Sequence, residues 1–305
     1  MRLDPAVLAA LDLHPSVSAR IAPLGGSSFS STAKISTSDG DSYFLKTGSG
    51  EEAKAMFAGE FTSLEHMSRA NPAITARPIS HGELLETPPP GRYYLLTEFL
   101  DLSDRRRSGT LAKELAALHL ARPHPSAEGR GFGFPLSTCC GSTPQDNTWT
   151  SSWPEFFSRR RLRPVLEACE RSNVADGELR ELVAATAAKV VPRLLGALGE
   201  VRPSLVHGDL WSGNAAGAKV YDPSCCYAHS EYEIGIMELF GGFRGEFWEE
   251  YHRSVPKAQP ESEFEDRVQL YALYHQLNHL ALFGGGFRSG AVSIMQKLIR
   301  KYGGD

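Results

Sequence analysis

The chain has 305 residues, 41 % apolar and 22 % charged, a globular balance that excludes a disordered or fibrous chain. Its 32 basic and 36 acidic residues leave a formal charge of −4, which argues against a broad nucleic-acid footprint and gives no reason for recruitment to a membrane. No run approaches the ~18 apolar residues of a membrane span, and five cysteines without a C-x-x-C spacing fit small buried hydrophobes in a cytoplasmic protein better than a disulfide framework or a zinc site.

At about 150 residues per domain, the length suggests one large or two ordinary domains. The short apolar stretch Ala6 to Leu11, flanked by Asp4 and Asp12 and lacking a basic lead-in, reads as a surface helix over Pro5 to Leu11 rather than a signal peptide. Strand-like runs follow at Ile21 to Leu24, Ala33 to Thr37 and Ser42 to Thr47. The small-residue turn Gly25 to Thr32 separates the first two, and an Asp39-Gly40 hairpin turn the second two. A helical pattern runs from about Glu51 to Arg69, and a further hairpin pairs Ala76 to Leu85 with Arg92 to Leu100. Beyond Leu102 the spacing is mostly helical. Thr110 is an N-cap candidate, Pro123 to Pro154 is turn-rich, and helices are predicted at Trp153 to Cys169, Asp176 to Leu198, Ser230 to Phe240 and Glu263 to Phe283. The layout is α+β and bilobal: a small β-rich N-terminal lobe (1–98) and a larger, mainly helical lobe (99–305), joined near Glu98 to Asp101.

The sharpest chemical signal is His207-Gly-Asp-Leu-Trp-Ser-Gly-Asn214, followed by Tyr221-Asp222-Pro. Phosphoryl transfer needs a carboxylate to accept the proton of the attacking hydroxyl and oxygen ligands to hold Mg²⁺ against the phosphates. Asp209, Asn214 and Asp222 supply that set, with the Asp-to-Asn spacing of the protein-kinase catalytic loop. A second signal is Glu60, the one carboxylate among Ala53, Met56, Phe57, Leu64 and Met67 on a single helix face. A carboxylate buried there requires a cationic partner. Lys46, in a strand-like context, is the nearest candidate, and such a pair is the device kinase folds use to hold the α- and β-phosphates of ATP. The turn Gly25, Gly26, Ser27, Ser28 is placed to cover phosphates with backbone N–H groups, though it lacks G-x-G-x-x-G spacing. Glu98 and Leu100, on the extended link between lobes, are expected to offer backbone groups to adenine, with Thr97 behind them.

These motifs give the sequence a resemblance to the fructosamine 3-kinase (ketosamine 3-kinase) family of the protein-kinase-like superfamily. The resemblance is carried by H-G-D-L-W-S-G-N at 207–214, Y-D-P at 221–223, H-S-E-Y-E at 229–233, G-G-F at 241–243, Y-H-R at 251–253, and T-C-C-G at 138–141 with Trp149 and Trp153. It covers nearly the whole chain. The resemblance implies a protein-kinase-like fold and ATP- and Mg²⁺-dependent phosphorylation of the 3-hydroxyl of a ketosamine, borne on a protein lysine or a free amine. The 3-phosphate then eliminates and releases the amine. Under it, Asp209 is the base, Asn214 and Asp222 the Mg²⁺ ligands, and Lys46 with Glu60 the phosphate clamp. Trp211 either offers its ring to the sugar or amine arm, or packs beneath the catalytic loop. The family often carries a cysteine in the Gly-rich turn, linked to redox-sensitive dimerisation; Ser27 and Ser28 stand there, so that regulation is not transferred. A monomer or weak dimer is expected.

His229 and Glu231 are candidates for the substrate cleft, while Ser230 and Glu233 read as an S-x-x-E capping box. The other histidines read as ordinary core or surface residues, and Arg105–Arg107 and Arg159–Arg161 as solvated faces. Two alternatives stay open from sequence: a kinase of the same fold acting on an aminoglycoside- or choline-like alcohol, and a silent nucleotide-binding scaffold.

Overall fold

A computed structural model describes residues 3–26, 30–86, 90–101 and 110–304. Five antiparallel strands, β1 (Ala19–Gly26), β2 (Ser31–Thr37), β3 (Ser42–Ser49), β4 (Pro78–Glu83) and β5 (Arg92–Glu98), form one sheet in the order β1-β2-β3-β5-β4. Helix α1 (Pro5–Leu11), capped by the Asp4 carboxylate, covers one face through Val7, which packs with Ile35, Leu45, Tyr94 and Leu96. Helix α2 (Gly50–Ala70) covers the other face through Ala53, Phe57 and Leu64 against Tyr93 and Leu95. Strand residues alternate between faces. Leu45 therefore enters the α1 side, while Lys46, opposite Leu95 in the register, faces α2. The lysine meets its helix partner because of that alternation.

The remainder is mainly helical. Helix α3 (Leu111–Leu120) begins at Thr110, whose hydroxyl accepts from the Lys113 N–H as the sequence predicts. The helix Phe264–Phe283 runs through the centre and packs against Glu231–Phe240, Arg163–Ser172 and Arg288–Tyr302. Nearly every side of it is buried. The main core, unlike the two small clusters on the sheet, also takes in Met67 from α2 and Ile74 beyond it, so the base of the sheet lobe is anchored in the helical one.

Several sequence readings need correction. The helices Gly245–Ser254 and Arg288–Tyr302 were not predicted. Arg161, read as solvated, is 1 % exposed. Its guanidinium donates to the Asp146 carbonyl and to Asn147 Oδ1 and stacks over Phe156, anchoring the turn-rich segment. The run Arg105–Arg107 lies outside the described residues. The five cysteines are free, four of them buried and Cys139 partly so.

Candidate active site

Two adjoining cavities lie between the sheet and the helical region. The first, about 540 Å³, is an apolar slot bounded by Phe44, Leu64, Ala76 and Val220 and reaching Thr97, Glu98 and Leu100. The second, about 410 Å³, holds Asp209, Asn214, Trp211 and Cys140. Ser30, Lys46, Glu60 and Asp222 line both. Gly26 lines the first cavity; Gly25 pairs with Thr32 at a bulge in β1 and lines neither. Ser27 and Ser28 lie outside the described residues.

At the junction, Lys46 Nζ sits 2.6 Å from Glu60 Oε1 and 2.5 Å from Asp222 Oδ1. The Lys46 and Glu60 side chains are 10 % and 12 % exposed, so this is a buried pair and not a surface salt bridge. Burial works against the lysine's charge, but the two carboxylates outweigh it and raise its pKa. Asp222 is open to both cavities and adopts a left-handed backbone conformation, φ +58°.

The catalytic-loop motif is locked by its own backbone. His207 is buried; its Nε2 donates to the Tyr221 carbonyl and its Nδ1 accepts from the Asp209 N–H, which fixes one neutral tautomer. Burial lowers its pKa. Gly208 has φ +82°, and a Cβ there would lie 2.1 Å from the Ser224 carbonyl oxygen, so only glycine fits the turn. Asn214 Nδ2 donates to the Asp209 carbonyl, which leaves its Oδ1 as an available acceptor. Burial raises the Asp209 carboxyl to about 7, against the pull of a hydrogen bond from the Cys140 thiol. Cys140, Asp209 and His275 bring a sulfur, an oxygen and a nitrogen within 4.8 Å of one another. Trp211 lies on Gly213, where a Cβ would meet its ring at 2.2 Å, and keeps the rest of the ring in the second cavity. It therefore packs in the loop while facing the cleft.

The structure places other residues elsewhere than the sequence suggests. His229 and Glu231 line neither cavity. The Trp153 indole donates to the Tyr271 hydroxyl, which also shares a 2.9 Å hydrogen bond with His229 Nδ1, and burial holds this histidine down at about 4. Glu231 makes a two-point ion pair with the buried Arg267 and accepts from the Ala258 N–H. These are core contacts that pin the segment before the central helix. The capping box also fails, because Ser230 makes no side-chain cap. Glu233 instead reaches back to accept the His207 and Gly208 N–H groups at 2.5 and 2.9 Å, with His119 Nε2 3.6 Å from its carboxylate. The sequence reads Glu233 as half of a capping box and does not identify the loop it grips. On the link between lobes, the Glu98 N–H already donates to the Arg77 carbonyl, and the Glu98 carbonyl accepts from the Thr97 hydroxyl. Phe240, Asn278 and Phe283 line the second cavity though no sequence pattern marks them, together with Cys140 of the T-C-C-G stretch, which reads as a small buried hydrophobe, and His279, which reads as an ordinary core or surface histidine; packing brings them together from segments distant in sequence.

The donor atoms suit a hard divalent cation. Asn214 Oδ1 and the Asp222 carboxylate are oxygens, as Mg²⁺ prefers, and both line the second cavity.

The sequence matches the family described as fructosamine kinase over residues 7–301. It is 37 % identical over 279 residues to the ketosamine-3-kinase of Mus musculus, covering 84 % of this chain and 87 % of that one. It is 37 % identical over 286 residues to the chloroplastic protein-ribulosamine 3-kinase of Oryza sativa subsp. japonica, covering 92 % of this chain and 79 % of that one. A solved Thermobifida fusca structure, described provisionally as a fructosamine-3-kinase, superposes with a TM-score of 0.76 at 24 % identity over 98 % of this chain and 100 % of that one. The fold is the bilobal protein-kinase-like one found also in aminoglycoside phosphotransferases.

Proposed function

We propose, from the premise that this chain belongs to the fructosamine kinase family, that it is an ATP-dependent ketosamine 3-kinase. The observation that carries the reading is the Lys46–Glu60–Asp222 cluster at the seam of two cavities, with Asp209 and Asn214 in the second. The slot beneath β3 and β5 receives the nucleotide base, the Glu98 carbonyl and Leu100 border its edge, and Thr97 closes its back. Lys46, oriented by Glu60, faces the phosphates. Asn214 and Asp222 would hold Mg²⁺. When bound, the cation offsets charge on the phosphates.

The sugar hydroxyl enters from the second cavity toward Asp209. Its oxygen forms the new bond to the γ-phosphorus while the bond to the β-bridging oxygen breaks, ADP departs, and the hydroxyl proton passes to the Asp209 carboxylate. Glu233 and His207 act earlier, by holding the loop in the one conformation that presents that carboxylate. The acceptor class comes from the family; elimination of inorganic phosphate from the 3-phosphate, followed by hydrolysis that frees the amine, makes the outcome a deglycation. The cysteines form no disulfide among the described residues, and no helix among them is long and apolar enough to cross a membrane; we place the enzyme in the cytoplasm.

The test is direct. Incubation with ATP, Mg²⁺ and a ribulosamine or fructosamine, followed by ³¹P spectroscopy, is expected to show a sugar phosphate appearing with ADP. Transfer to neither sugar would overturn the reading.

A further inference from the structure

Three segments far apart in the chain bring a second set of donors to Asp209. Cys140 belongs to the short strand Cys139–Cys140, His275 to the central helix Phe264–Phe283, and Asp209 to the catalytic loop. Among the described residues, these form the one group of three cysteine, histidine or acidic side chains whose donor atoms lie close enough to share a metal ion. Cys140 Sγ is 4.0 Å from His275 Nδ1, and its thiol hydrogen-bonds to the Asp209 carboxylate. Around a tetrahedral zinc ion, bond lengths of about 2.3 Å to sulfur and about 2.05 Å to nitrogen set those two donors roughly 3.6 Å apart. A small side-chain adjustment closes the difference.

The surroundings leave these donors uncommitted. His275 is buried and its Nε2 has no hydrogen-bond partner, so nothing on that side opposes ligation through Nδ1. Burial keeps the ring neutral, the form that ligates metals. One turn along the same helix, the buried Asn278 lines the cavity and its Nδ2 donates to the Cys140 carbonyl at 3.2 Å. Its Oδ1 has no partner. An orphaned acceptor on a cavity wall calls for a ligand or a water, and a water in the fourth position on a metal would supply the donor. Cys140 and Asp209 also line the cavity, so an ion reaches them through the cleft.

The donor chemistry separates this set from Asn214 and Asp222. Mg²⁺ prefers oxygen throughout, whereas thiolate and imidazole favour softer ions such as Zn²⁺. We propose that Cys140, Asp209 and His275 form an inhibitory binding site for a thiophilic divalent cation of the zinc class. On binding, the Cys140 S–H bond breaks, its proton passes to water, and the thiolate, imidazole and carboxylate become ligands. The Asp209 carboxylate, committed to the metal, no longer accepts the proton of the sugar hydroxyl. The site itself stands without the kinase reading; the inhibition rests on it.

Cobalt(II) is the spectroscopic probe, added to the full chain without nucleotide or sugar. One equivalent should produce a near-ultraviolet thiolate-to-cobalt band and the visible bands of a tetrahedral ion, all displaced by Zn²⁺. Cys140→Ala should lose the near-ultraviolet band and Cys139→Ala should keep it. His275→Leu should weaken Zn²⁺ binding, measured against a chromophoric chelator, by no less than the roughly 10- to 100-fold that loss of an outer-shell partner costs. Circular dichroism checks the fold of each variant, and the wild-type band with the His275→Leu titration decides the matter if Cys140→Ala does not fold. In kinetics at saturating ATP and excess Mg²⁺, Zn²⁺ should inhibit ribulosamine phosphorylation. His275→Leu, referred to its own zinc-free rate, should need correspondingly more zinc. No thiolate band in wild type, a band lost in Cys139→Ala, or unchanged Zn²⁺ binding in His275→Leu would overturn the proposal. So would inhibition reversed by raising Mg²⁺, which would put the zinc on Asn214 and Asp222. A chain that shows the cobalt band but phosphorylates neither ribulosamine nor fructosamine without zinc would sink the kinase reading and leave the metal site in place.

Discussion

The inner end of the cleft and its outer end are built in opposite ways. Around Lys46, Glu60, Asp209 and Asp222 charge is concentrated and held by short contacts; the seam lysine alone meets two carboxylates. Along Trp211, Phe240, His279 and Phe283 no side chain is charged by design, and ring stacks set the shape. At the inner end a displaced atom removes an interaction worth several kcal/mol in a water-poor site, whereas at the outer end truncating one ring trims contact area. Changes at the inner end should thus act on turnover, and those at the outer end on substrate affinity.

The strongest way to break this contrast is Asp209→Asn. Loss of a general base is expected to lower kcat by roughly 10²- to 10⁴-fold while nucleotide binding, followed by calorimetry, persists. Retained turnover would remove Asp209 from its role. The same variant carries a stability signature. The Asp209 carboxyl is raised by burial to about 7, so the folded state holds its proton where the unfolded state has lost it. Wild-type stability from this group is intact below pH ~4 and declines as pH rises toward 7. Asp209→Asn should therefore match wild type near pH 4 and exceed it at pH 8 by a few kcal/mol, on the order set by the shift. Urea titrations at the two pH values measure this.

Next in size is Glu233→Ala. Two buried backbone N–H groups would lose their acceptor, at about 1–3 kcal/mol each, and the catalytic loop its anchor. Both melting temperature and kcat should fall. A loss of kcat without any thermal effect would show that the carboxylate does more than support the loop.

The pH dependence of kcat/KM sharpens the comparison further. A base that must be ionised and is raised to about 7 predicts an acidic limb with its midpoint near neutrality, activity increasing through it. An acidic limb near pH 4 would indicate that the pocket is wetter than its burial implies.

The smallest effect is expected at the back of the slot. Thr97 is buried and its hydroxyl donates to the Glu98 carbonyl. Thr97→Val keeps the volume and frees that carbonyl, so the KM for ATP should change by only a few-fold and kcat hardly at all.

What the linear sequence determined was mostly local. The spacing of Asp209, Asn214 and Asp222 lies within one loop and the turn after it, so the residues that meet are close in the chain. Glu60 was found because an isolated carboxylate in an apolar stripe demands a partner, and strand alternation turns Lys46 toward it. Helix α1 and the Thr110 cap were legible for the same reason, being set by neighbours a few residues away. The tertiary structure alone decided where non-neighbours meet. Glu233 looked like half of a capping box, but its carboxylate satisfies the N–H groups of a loop 25 residues earlier. Arg161 looked solvated, and became buried because the carbonyls of Asp146 and Asn147 were available to pair it. His229 and Glu231 shared a motif-bearing stretch with the site, yet found Tyr271 and Arg267 on the central helix instead. The aromatic wall joins the catalytic loop to two helices well beyond it. No local pattern announces such a surface, because exposed rings and buried polar groups acquire their meaning only from what packing places beside them.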